Sequence, residues 1–188
     1  MTGDVTVISG PSGVGKGTVV RALAAAHPEV WISISATTRP PRPGEVEGVD
    51  YYFVDDAAFD ELLDTDGLLE WALVHGSARY GTPTAPVMEA VTAGRRVILE
   101  IELQGARQVR ERLPGARYVF LAPPDDRTLG DRLRGRGTET EAQVQRRLQT
   151  AKDELAAVGE FDHVVVNDDL GQAVAELVEL LGLRRPLP

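Results

Sequence analysis

The chain has 188 residues, of which 43% are hydrophobic, and a formal net charge of −9, enough for one well-packed domain with insertions but not for two independent domains. The negative charge argues against a general nucleic-acid binder, and the absence of cysteine excludes disulfides, thiolate metal ligands and a thiol nucleophile. No basic segment precedes an apolar stretch near the first residue and no run of about 18 apolar residues occurs, so we expect a cytoplasmic protein without a membrane span.

A glycine-rich segment follows the first predicted strand. The apolar run VTVIS is followed at residues 10–18 by GPSGVGKGT. Its glycines allow positive φ and a close approach of backbone N–H groups to a polyphosphate. Lys16 places an ammonium on the terminal phosphates, and the helix that begins near Gly15 adds free amides and the positive end of its dipole. The segment therefore predicts a nucleoside triphosphate site rather than a turn that only ends a strand.

The residue after Lys16 is Gly17, where this kind of loop usually has Ser or Thr. The usual hydroxyl ligand of Mg²⁺ is then missing. We expect Thr18 or water to take its place, so that the metal keeps more of its waters.

Apolar strands alternate with helical patterns along the chain. The predicted strands are VTVIS, VWISIS, VILEI, YVFLA and HVVVN, and the predicted helices cover residues 16–27, residues 104–113, a long stretch after YVFLA, and residues 170–181. Continuous apolar strands separated by amphipathic helices indicate a mainly parallel sheet with helices on both faces. Ligands are then expected at the carboxyl ends of the strands.

Residues 36–82 do not fit this alternation and predict an inserted subdomain. They open with TTRPPRPGE, in which the prolines exclude a helix and hold Arg39 and Arg42 on a stiff turn. YYFV and LLEWALV follow as predicted strands of a small sheet. They flank a helix at residues 55–63 that starts with capping aspartates.

Residues 125–150 are the second excursion. They hold six of the eighteen arginines, with Gly130, Gly135 and Gly137 at points where helix propensity should break. We interpret this segment as a mobile lid. The alternative is a solvated, basic helix face.

A series of motifs runs in order through nearly the whole chain: GPSGVGKGT, SATTRPPRPGEVEGVDYYF, EWALVHG, YGTP, EIELQGARQVR, GRGTETE and VNDDL. This order resembles the guanylate kinase family. Loops of the first kind occur in many unrelated nucleotide enzymes, whereas the arginine, proline and tyrosine pattern of residues 37–53 is far more specific. The resemblance implies an α/β P-loop NTPase fold with a mainly parallel five-stranded sheet, helices on both faces, an inserted GMP-binding subdomain and a lid.

The resemblance also implies an activity and a division of the chain. The activity is transfer of the γ-phosphoryl group of ATP to GMP, giving ADP and GDP, in purine nucleotide metabolism and GMP recycling. Mg²⁺ is the required metal, and the ligands are ATP, GMP and its deoxy form, with no nucleic acid and no membrane. Residues 1–188 form a single domain, with a core at 1–35, 83–124 and 151–188, a GMP-binding subdomain at 36–82 and a lid at 125–150.

Site residues follow from the same resemblance. Those implied for ATP are the residues of the loop and one near the C-terminus: Gly10, Pro11, Ser12, Gly13, Val14, Gly15, Lys16, Gly17, Thr18 and Asn167. Those implied for GMP are Ser35, Arg39, Arg42, Glu45, Tyr51, Glu70, Tyr80, Thr82 and Glu102. Those implied for catalysis are Lys16, Arg132, Arg136 and Arg147. Thr18 and Glu100 would hold the metal, the latter through water.

The chemistry of these residue types matches the two parts of GMP. Planar guanidinium forks suit a dianionic phosphate, and tyrosine hydroxyls add donors. Guanine presents N1–H and a 2-amino group side by side, which carboxylates beside a hydroxyl can accept. Adenine would leave those carboxylates without hydrogen bonds, so we expect discrimination of about 10⁴. The alternative for Glu70 is a side chain that points outward from its strand.

Glu100 and Glu102 are expected to end the apolar strand VILEIEL, at the sheet edge where nucleotides bind. The commonest family pattern has aspartate at both positions, so the longer side chains here alter the contact distances. The loop HGSARYGT is also one residue longer than usual before Tyr80.

The expected mechanism needs no general base, because the GMP phosphate has a second pKa of about 6 and is already largely ionised near neutral pH. Lys16, the metal and the lid arginines would align the reactants and neutralise charge on the transferring group. We expect the lid to close in an ordered way, which would exclude water.

Two other functions are alternatives. A guanylate-kinase-like module of a scaffold protein would bind phosphopeptides through the site that corresponds to the GMP site. Such modules have usually lost nucleotide-binding residues, whereas the loop, Lys16 and the arginines of residues 125–150 remain here. A kinase for another mononucleotide or a sugar acid is less consistent with the paired carboxylates. For Asn167, a helix-capping role together with Asp168 and Asp169 is also open.

Overall fold

The structure is a computed structural model and describes residues 5–74, 78–135 and 141–183. Its elements, in chain order, are β1 (Val5–Ser9), α1 (Lys16–Ala26), β2 (Val30–Ile32), β3 (Ala36–Thr37), β4 (Tyr52–Phe53), α2 (Asp56–Asp64), β5 (Leu68–Val74), β6 (Ala78–Pro83), α3 (Thr84–Thr92), β7 (Arg96–Glu100), α4 (Leu103–Arg112), β8 (Arg117–Ala122), α5 (Asp126–Arg134), α6 (Glu141–Ala156), a 3-10 turn (Val158–Glu160), β9 (His163–Val166) and α7 (Leu170–Leu180).

Five strands form a parallel sheet in the order β2-β7-β1-β8-β9. The central strand β1 is buried along its whole length, and its neighbours β7 and β8 place Leu99 and Tyr118 on either side of Val7. Alternate β1 side chains belong to different apolar clusters. Ile8 packs with residues of α1 and α7, whereas Val7 packs with residues of α3 and α4. Helices therefore cover both faces, and the predicted α/β class with a five-stranded parallel sheet is confirmed.

Two predicted strands are shorter than expected. β2 ends at Ile32, so the second half of VWISIS is not strand, although the Ser33 amide still donates to the carbonyl of Ile98 at 2.9 Å. Likewise, β4 contains only two residues of YYFV. Both strands lie at sheet edges, where pairing on one side alone supports less extended backbone.

A second, four-stranded sheet has the order β4-β3-β6-β5. β5 and β6 form an antiparallel hairpin, and β3 pairs antiparallel with β6 and parallel with β4. Phe59 of α2 packs with Ala36 and Leu68 to form a small core. The predicted aspartate cap is confirmed, because the Asp55 side chain accepts a 2.8 Å hydrogen bond from the amide of Ala58.

Helix α4 connects the two sheets. The Gln108 side chain makes two hydrogen bonds with the backbone of Trp71, at 3.1 Å and 2.8 Å. One turn further along, Arg112 forms a 2.6 Å ion pair with Asp66. Because the other side of α4 packs on the parallel sheet through Val109, this helix fastens the small sheet to the large one.

One of the helix breaks predicted within residues 125–150 does not occur. Gly130 lies buried inside α5 and does not break the helix, so that expectation is wrong. The physical reason is tertiary packing, because Leu129 and Leu133 of α5 form an apolar cluster with Val144 and Ala151 of α6, which outweighs the poor helix propensity of glycine. Gly135 does end α5, while Gly137 lies outside the described residues.

In the part of the chain that the structure describes, we find no helix with the length and apolar character that crossing a membrane requires.

Candidate active site

The glycine-rich loop joins the carboxyl end of β1 to the start of α1. Gly10 and Gly15 have φ values of 150° and 98°, which side chains rarely allow. A Cβ at Gly10 would also collide with the carbonyl of Leu121 on β8, and one at Gly15 would lie 2.7 Å from Nδ2 of Asn167. The loop is therefore packed closely against the neighbouring elements as well as sharply curved.

Lys16 is the first residue of α1 and is buried. Its Nζ donates to the carbonyl of Gly10 at 2.5 Å, so the ammonium closes over the loop that precedes it. The same Nζ lies 3.8 Å from Oε1 of Glu102. A buried ammonium next to a glycine-rich loop at the start of a helix is suited to an oligophosphate.

The carboxylate of Glu100, the last residue of β7, lies against the first turn of α1. A Cβ on Gly17 would be 3.2 Å from Glu100 Oε1 and 3.1 Å from Arg21 Nη1. Burial raises the pKa of Glu100, while the positive charges of Lys16 and Arg21 lower it. Thr18, which follows Gly17 in the first turn of α1, is exposed.

Two predicted catalytic arginines contact the loop. Arg132 of α5 donates to the carbonyl of Val14 at 3.3 Å, and Arg147 of α6 donates to the hydroxyl of Ser12 at 2.5 Å. The third, Arg136, lies outside the described residues. The loop is thus held by both helices of residues 125–150.

Asn167 follows β9 and is buried against the loop. Its Nδ2 donates to the Val14 carbonyl at 2.7 Å. It does not cap α7, because Asp169 takes that position and accepts a 2.9 Å hydrogen bond from the Gln172 amide. The alternative of a cap formed by Asn167 together with Asp168 and Asp169 is therefore wrong for Asn167 and confirmed for Asp169.

Arg39 lies in a cluster of polar and aromatic side chains. Its Nη2 and Nη1 donate to Glu45 at 2.8 Å and 3.0 Å, and its Nε donates to the Tyr80 hydroxyl at 3.0 Å. The ion pair with Glu45 raises the pKa of Arg39 and lowers that of Glu45. The Tyr51 ring lies 5.8 Å from that of Tyr80, and Arg42 is exposed on the adjoining turn.

Glu70 and Thr82 face each other across the hairpin of β5 and β6. The Thr82 hydroxyl donates to Glu70 Oε1 at 2.6 Å, and both side chains are buried. Burial raises the pKa of Glu70. The alternative that Glu70 points outward is wrong, because the face of β5 that it occupies packs against α4.

Glu102 does not continue the strand as predicted. β7 ends at Glu100, and Glu102 is the residue that precedes α4, with 60% of its side chain exposed. Its carboxylate lies 3.8 Å from the Nζ of Lys16, and its negative charge adds to the effect of burial in raising the pKa of Glu70. Ser35 is half-buried after β2, and its carbonyl accepts a 2.9 Å hydrogen bond from the Tyr52 amide.

Sequence reasoning missed Glu154, a buried residue of α6. The backbone of Ser12 hydrogen-bonds its carboxyl group, Glu102 and Lys16 lie close by, and its Oε2 has no hydrogen-bond partner. Burial and the charge of Glu102 raise the pKa of Glu154 to about 7. Its spacing in the sequence could have indicated its position. Glu154 follows Arg147 by two helical turns, so the two side chains lie on the same face of α6.

The family model "Guanylate kinase" matches residues 2–183. The chain is 61% identical over 184 residues to a guanylate kinase of Cutibacterium acnes, covering 97% of this chain and 92% of the relative. It is 57% identical over 177 residues to one of Thermobifida fusca, covering 94% and 90%. The crystal structure of guanylate kinase from Anaplasma phagocytophilum superimposes with a TM-score of 0.74 at 30% identity, covering 96% of this chain and 85% of that one. The crystal structure of shikimate kinase from Bacteroides thetaiotaomicron superimposes with a TM-score of 0.51 at 15% identity, covering 95% of this chain and 98% of that one. This likeness shows a shared fold.

Proposed function

The chain belongs to the guanylate kinase family, enzymes that transfer the γ-phosphoryl group of ATP to GMP to give ADP and GDP, and we propose that the residues described above divide this task between two half-sites. The observation that carries the proposal is the position of Glu102. It lies 3.8 Å from Lys16 of the phosphate loop, and it directly precedes the first turn of α4, where Gly105 lies against the Glu70 carboxylate. The two groups of predicted ligands therefore meet at the carboxyl end of β7.

The ATP half-site is the loop at residues 10–18. Its amides and the first turn of α1 would surround the phosphates, and Lys16 would exchange its bond to the Gly10 carbonyl for the terminal phosphates. Asn167 would act on ATP indirectly, because its side chain holds the Val14 carbonyl within the loop.

The phosphate of GMP would bind to the cluster around Arg39. Arg39 presents a planar fork, Tyr51 and Tyr80 supply hydroxyl donors, and Arg42 extends the positive surface. Glu45 pairs with Arg39 in this structure, which supports a role in orienting the fork. A dianionic phosphate would then add to this cluster with short, charge-assisted hydrogen bonds.

The guanine base would bind between the two sheets. The buried carboxylate of Glu70 would accept hydrogen bonds from N1–H and the 2-amino group, beside the hydroxyl of Thr82 and with Ser35 close to the turn. Glu102 would contact the 2-amino group from the core. An adenine base would leave a buried carboxylate without a hydrogen-bond donor. The free-energy cost of that unpaired group would exclude AMP.

Phosphoryl transfer would start from an ionised oxygen of the GMP phosphate. Arg132 and Arg147 already contact the loop, so they are available to neutralise charge as the γ-phosphoryl group moves, together with Lys16 and Arg136. We propose that a lid at residues 125–150, which contains α5 and the first part of α6, closes when both nucleotides are bound and thereby excludes water.

The residues at the metal position fit Mg²⁺. Glu100 and Thr18 offer oxygen ligands near the first turn of α1. Gly17, which lies against the Glu100 carboxylate, has no side chain. An ion at this position would be held mainly by phosphate oxygens and water. When bound, Mg²⁺ would neutralise charge on the ATP phosphates.

The two sheets support the division of the chain into a core at 1–35, 83–124 and 151–188 and a GMP-binding subdomain at 36–82, because the second sheet begins at Ala36 and ends at Pro83. We also propose dGMP as a second acceptor, since none of the proposed contacts uses the 2′-hydroxyl. We assign the enzyme to the cytoplasm, as expected for nucleotide metabolism.

The direct test is to incubate the purified protein with ATP, Mg²⁺ and GMP, dGMP, AMP, CMP or UMP in turn and to follow ADP release. We expect rapid turnover with GMP, measurable turnover with dGMP, and at least about 10³-fold lower kcat/KM with AMP. Comparable activity with AMP would contradict the assignment of the base-reading residues. The Glu70→Ala variant should weaken GMP more than ATP, and equal weakening of both would remove Glu70 from the guanine site.

A further inference from the structure

Gly105 occupies a position in α4 where the backbone does not need glycine. It is the third residue of the helix, it is buried, and its φ does not lie in the left-handed region. Glycine inside a helix costs about 1 kcal/mol relative to alanine. The residue therefore has to be explained by what surrounds it rather than by its own conformation.

The atoms that surround Gly105 belong to the side chain of Glu70. A Cβ at Gly105 would lie 2.6 Å from Oε2, 3.0 Å from Cδ and 3.3 Å from Cγ of Glu70. The first distance is far shorter than a van der Waals contact between carbon and oxygen atoms of different residues, so the carboxylate would have to move. The three nearest atoms are all of this side chain and none belongs to the backbone of β5, so the missing methyl group makes room for the carboxylate and not for the strand.

The carboxylate of Glu70 is confined from the opposite side as well. Its Oε1 accepts the 2.6 Å hydrogen bond from Thr82, whose side chain is fully buried on β6. Glu70 therefore lies between a fixed hydroxyl donor and the first turn of α4. The positive end of the helix dipole stabilises a carboxylate at that turn.

We propose that Gly105 is a positioning residue for guanine specificity. By lacking a side chain, it allows the Glu70 carboxylate to lie deep enough against α4 to accept both the N1–H and the 2-amino hydrogens of guanine. An alanine at this position pushes the carboxylate toward the space that the base occupies. The inference rests on the proposed role of Glu70 as the guanine reader.

The test compares Gly105→Ala with the unchanged enzyme, using GMP and IMP as acceptors. IMP is GMP without the 2-amino group, so the ratio of the two kcat/KM values measures how well the carboxylate reads that group. We expect kcat/KM for GMP to fall about tenfold or more and the ratio of GMP to IMP to fall with it, because a misplacement of about 1 Å can cost up to 10²-fold. The KM for ATP should not change, and the melting temperature should change little, because the preference of alanine for the helix offsets the cost of moving the carboxylate.

Gly159→Ala is the matched control. Gly159 lies in the 3-10 turn, and a Cβ there would meet no atom within 4 Å. We expect this variant to keep the kinetics of the unchanged enzyme with both acceptors. An unaltered ratio of GMP to IMP in Gly105→Ala would overturn the proposal.

A double-variant cycle with Glu70→Ala separates this inference from the function on which it rests. With Glu70 shortened, a methyl group at position 105 has nothing to displace, so the effect of Gly105→Ala should largely disappear. An effect of equal size in both backgrounds, or unfolding in both, overturns the positioning role of Gly105. If Glu70→Ala alone leaves kcat/KM for GMP unchanged, Glu70 does not bind guanine. That result does not depend on any change at Gly105.

Discussion

Glu45 holds both outer nitrogens of the Arg39 guanidinium, with Oε1 2.8 Å from Nη2 and Oε2 3.0 Å from Nη1. The same carboxylate accepts a 2.7 Å hydrogen bond from the Arg42 amide. One acidic side chain thus orders the turn that carries two arginines and sets the direction in which one of them points.

We predict that Glu45→Ala raises the KM for GMP about tenfold and leaves the KM for ATP unchanged. Without Glu45, the Arg39 guanidinium loses two charge-assisted hydrogen bonds and becomes free to move. GMP must then order this side chain when it binds, which lowers its affinity. Steady-state kinetics with each substrate varied in turn measures this. Glu61→Ala, on the exposed side of α2, is the control and should have no effect. A lower KM for GMP would show instead that Glu45 competes with the phosphate.

We predict that Lys16→Met lowers kcat at least 100-fold with little change in melting temperature. The methionine fills a similar volume, whereas the charge that stabilises the transferring phosphate is lost. Kinetics and thermal unfolding are measured on the same preparation. Lys152→Met is the matched control, because Lys152 is the other lysine of the chain and is exposed on α6. A large drop in melting temperature would assign Lys16 a structural role.

We predict that Glu100→Gln raises the Mg²⁺ concentration for half-maximal activity about tenfold, because outer-shell ligands of metals typically contribute factors of 10 to 100. The measurement is a titration with Mg²⁺ at saturating ATP and GMP. Glu89→Gln, an exposed change on α3, should leave the midpoint where it is. An unchanged midpoint in Glu100→Gln would remove this carboxylate from the metal site.

We predict that protein stability without nucleotide falls between pH 5 and pH 8 and that Glu154→Gln reduces this fall. The pKa of Glu154 is about 7 in the folded protein against an ordinary value of 4.5, so the folded state holds a proton that the unfolded state has released. Stability from this group is therefore present at low pH and is lost as the pH rises through 7. Each pKa unit corresponds to about 1.4 kcal/mol, so a shift from 4.5 to about 7 gives a pH-dependent difference on the order of 3 kcal/mol.

Denaturant unfolding of both proteins at several pH values tests this prediction. Glutamine stays neutral, so the variant should gain stability over the unchanged protein as the pH rises. Glu111→Gln, at an exposed position of α4, should follow the unchanged protein. Parallel pH profiles for the Glu154→Gln variant and the unchanged protein would show that Glu154 is ionised in both folded and unfolded states.

The parallel sheet could be predicted because its strands are buried on both faces and appear as continuous apolar runs between helices. The cap of α2 was also predictable, because the Asp55 side chain accepts its hydrogen bond from an amide only three residues further along the chain. Gly130 was predicted wrongly because a helix break is judged from local propensity, and the packing of α5 on α6 outweighs that propensity. Helices and strands were therefore more predictable than their interruptions.

In the site, residues within one motif were predictable and contacts between motifs were not. The glycines of the loop, Lys16 and the arginine turn carry their chemistry in adjacent residues. Glu154 and Gly105 were missed because their significance depends on Ser12 and Glu70, which are distant in the chain. No spacing rule in a single sequence relates such pairs.

The sequence by itself determined where the backbone must curve, which segments are apolar enough to be buried, and which charged residues stand beside them, because backbone sterics and hydrophobic periodicity act over a few residues. Only the tertiary structure decided that Glu102 lies beside Lys16, that Asn167 holds the phosphate loop, and that α4 leaves room for the Glu70 carboxylate. Those arrangements depend on the order of strands in two sheets and on how helices pack across them. They arise from contacts between residues that only folding brings together.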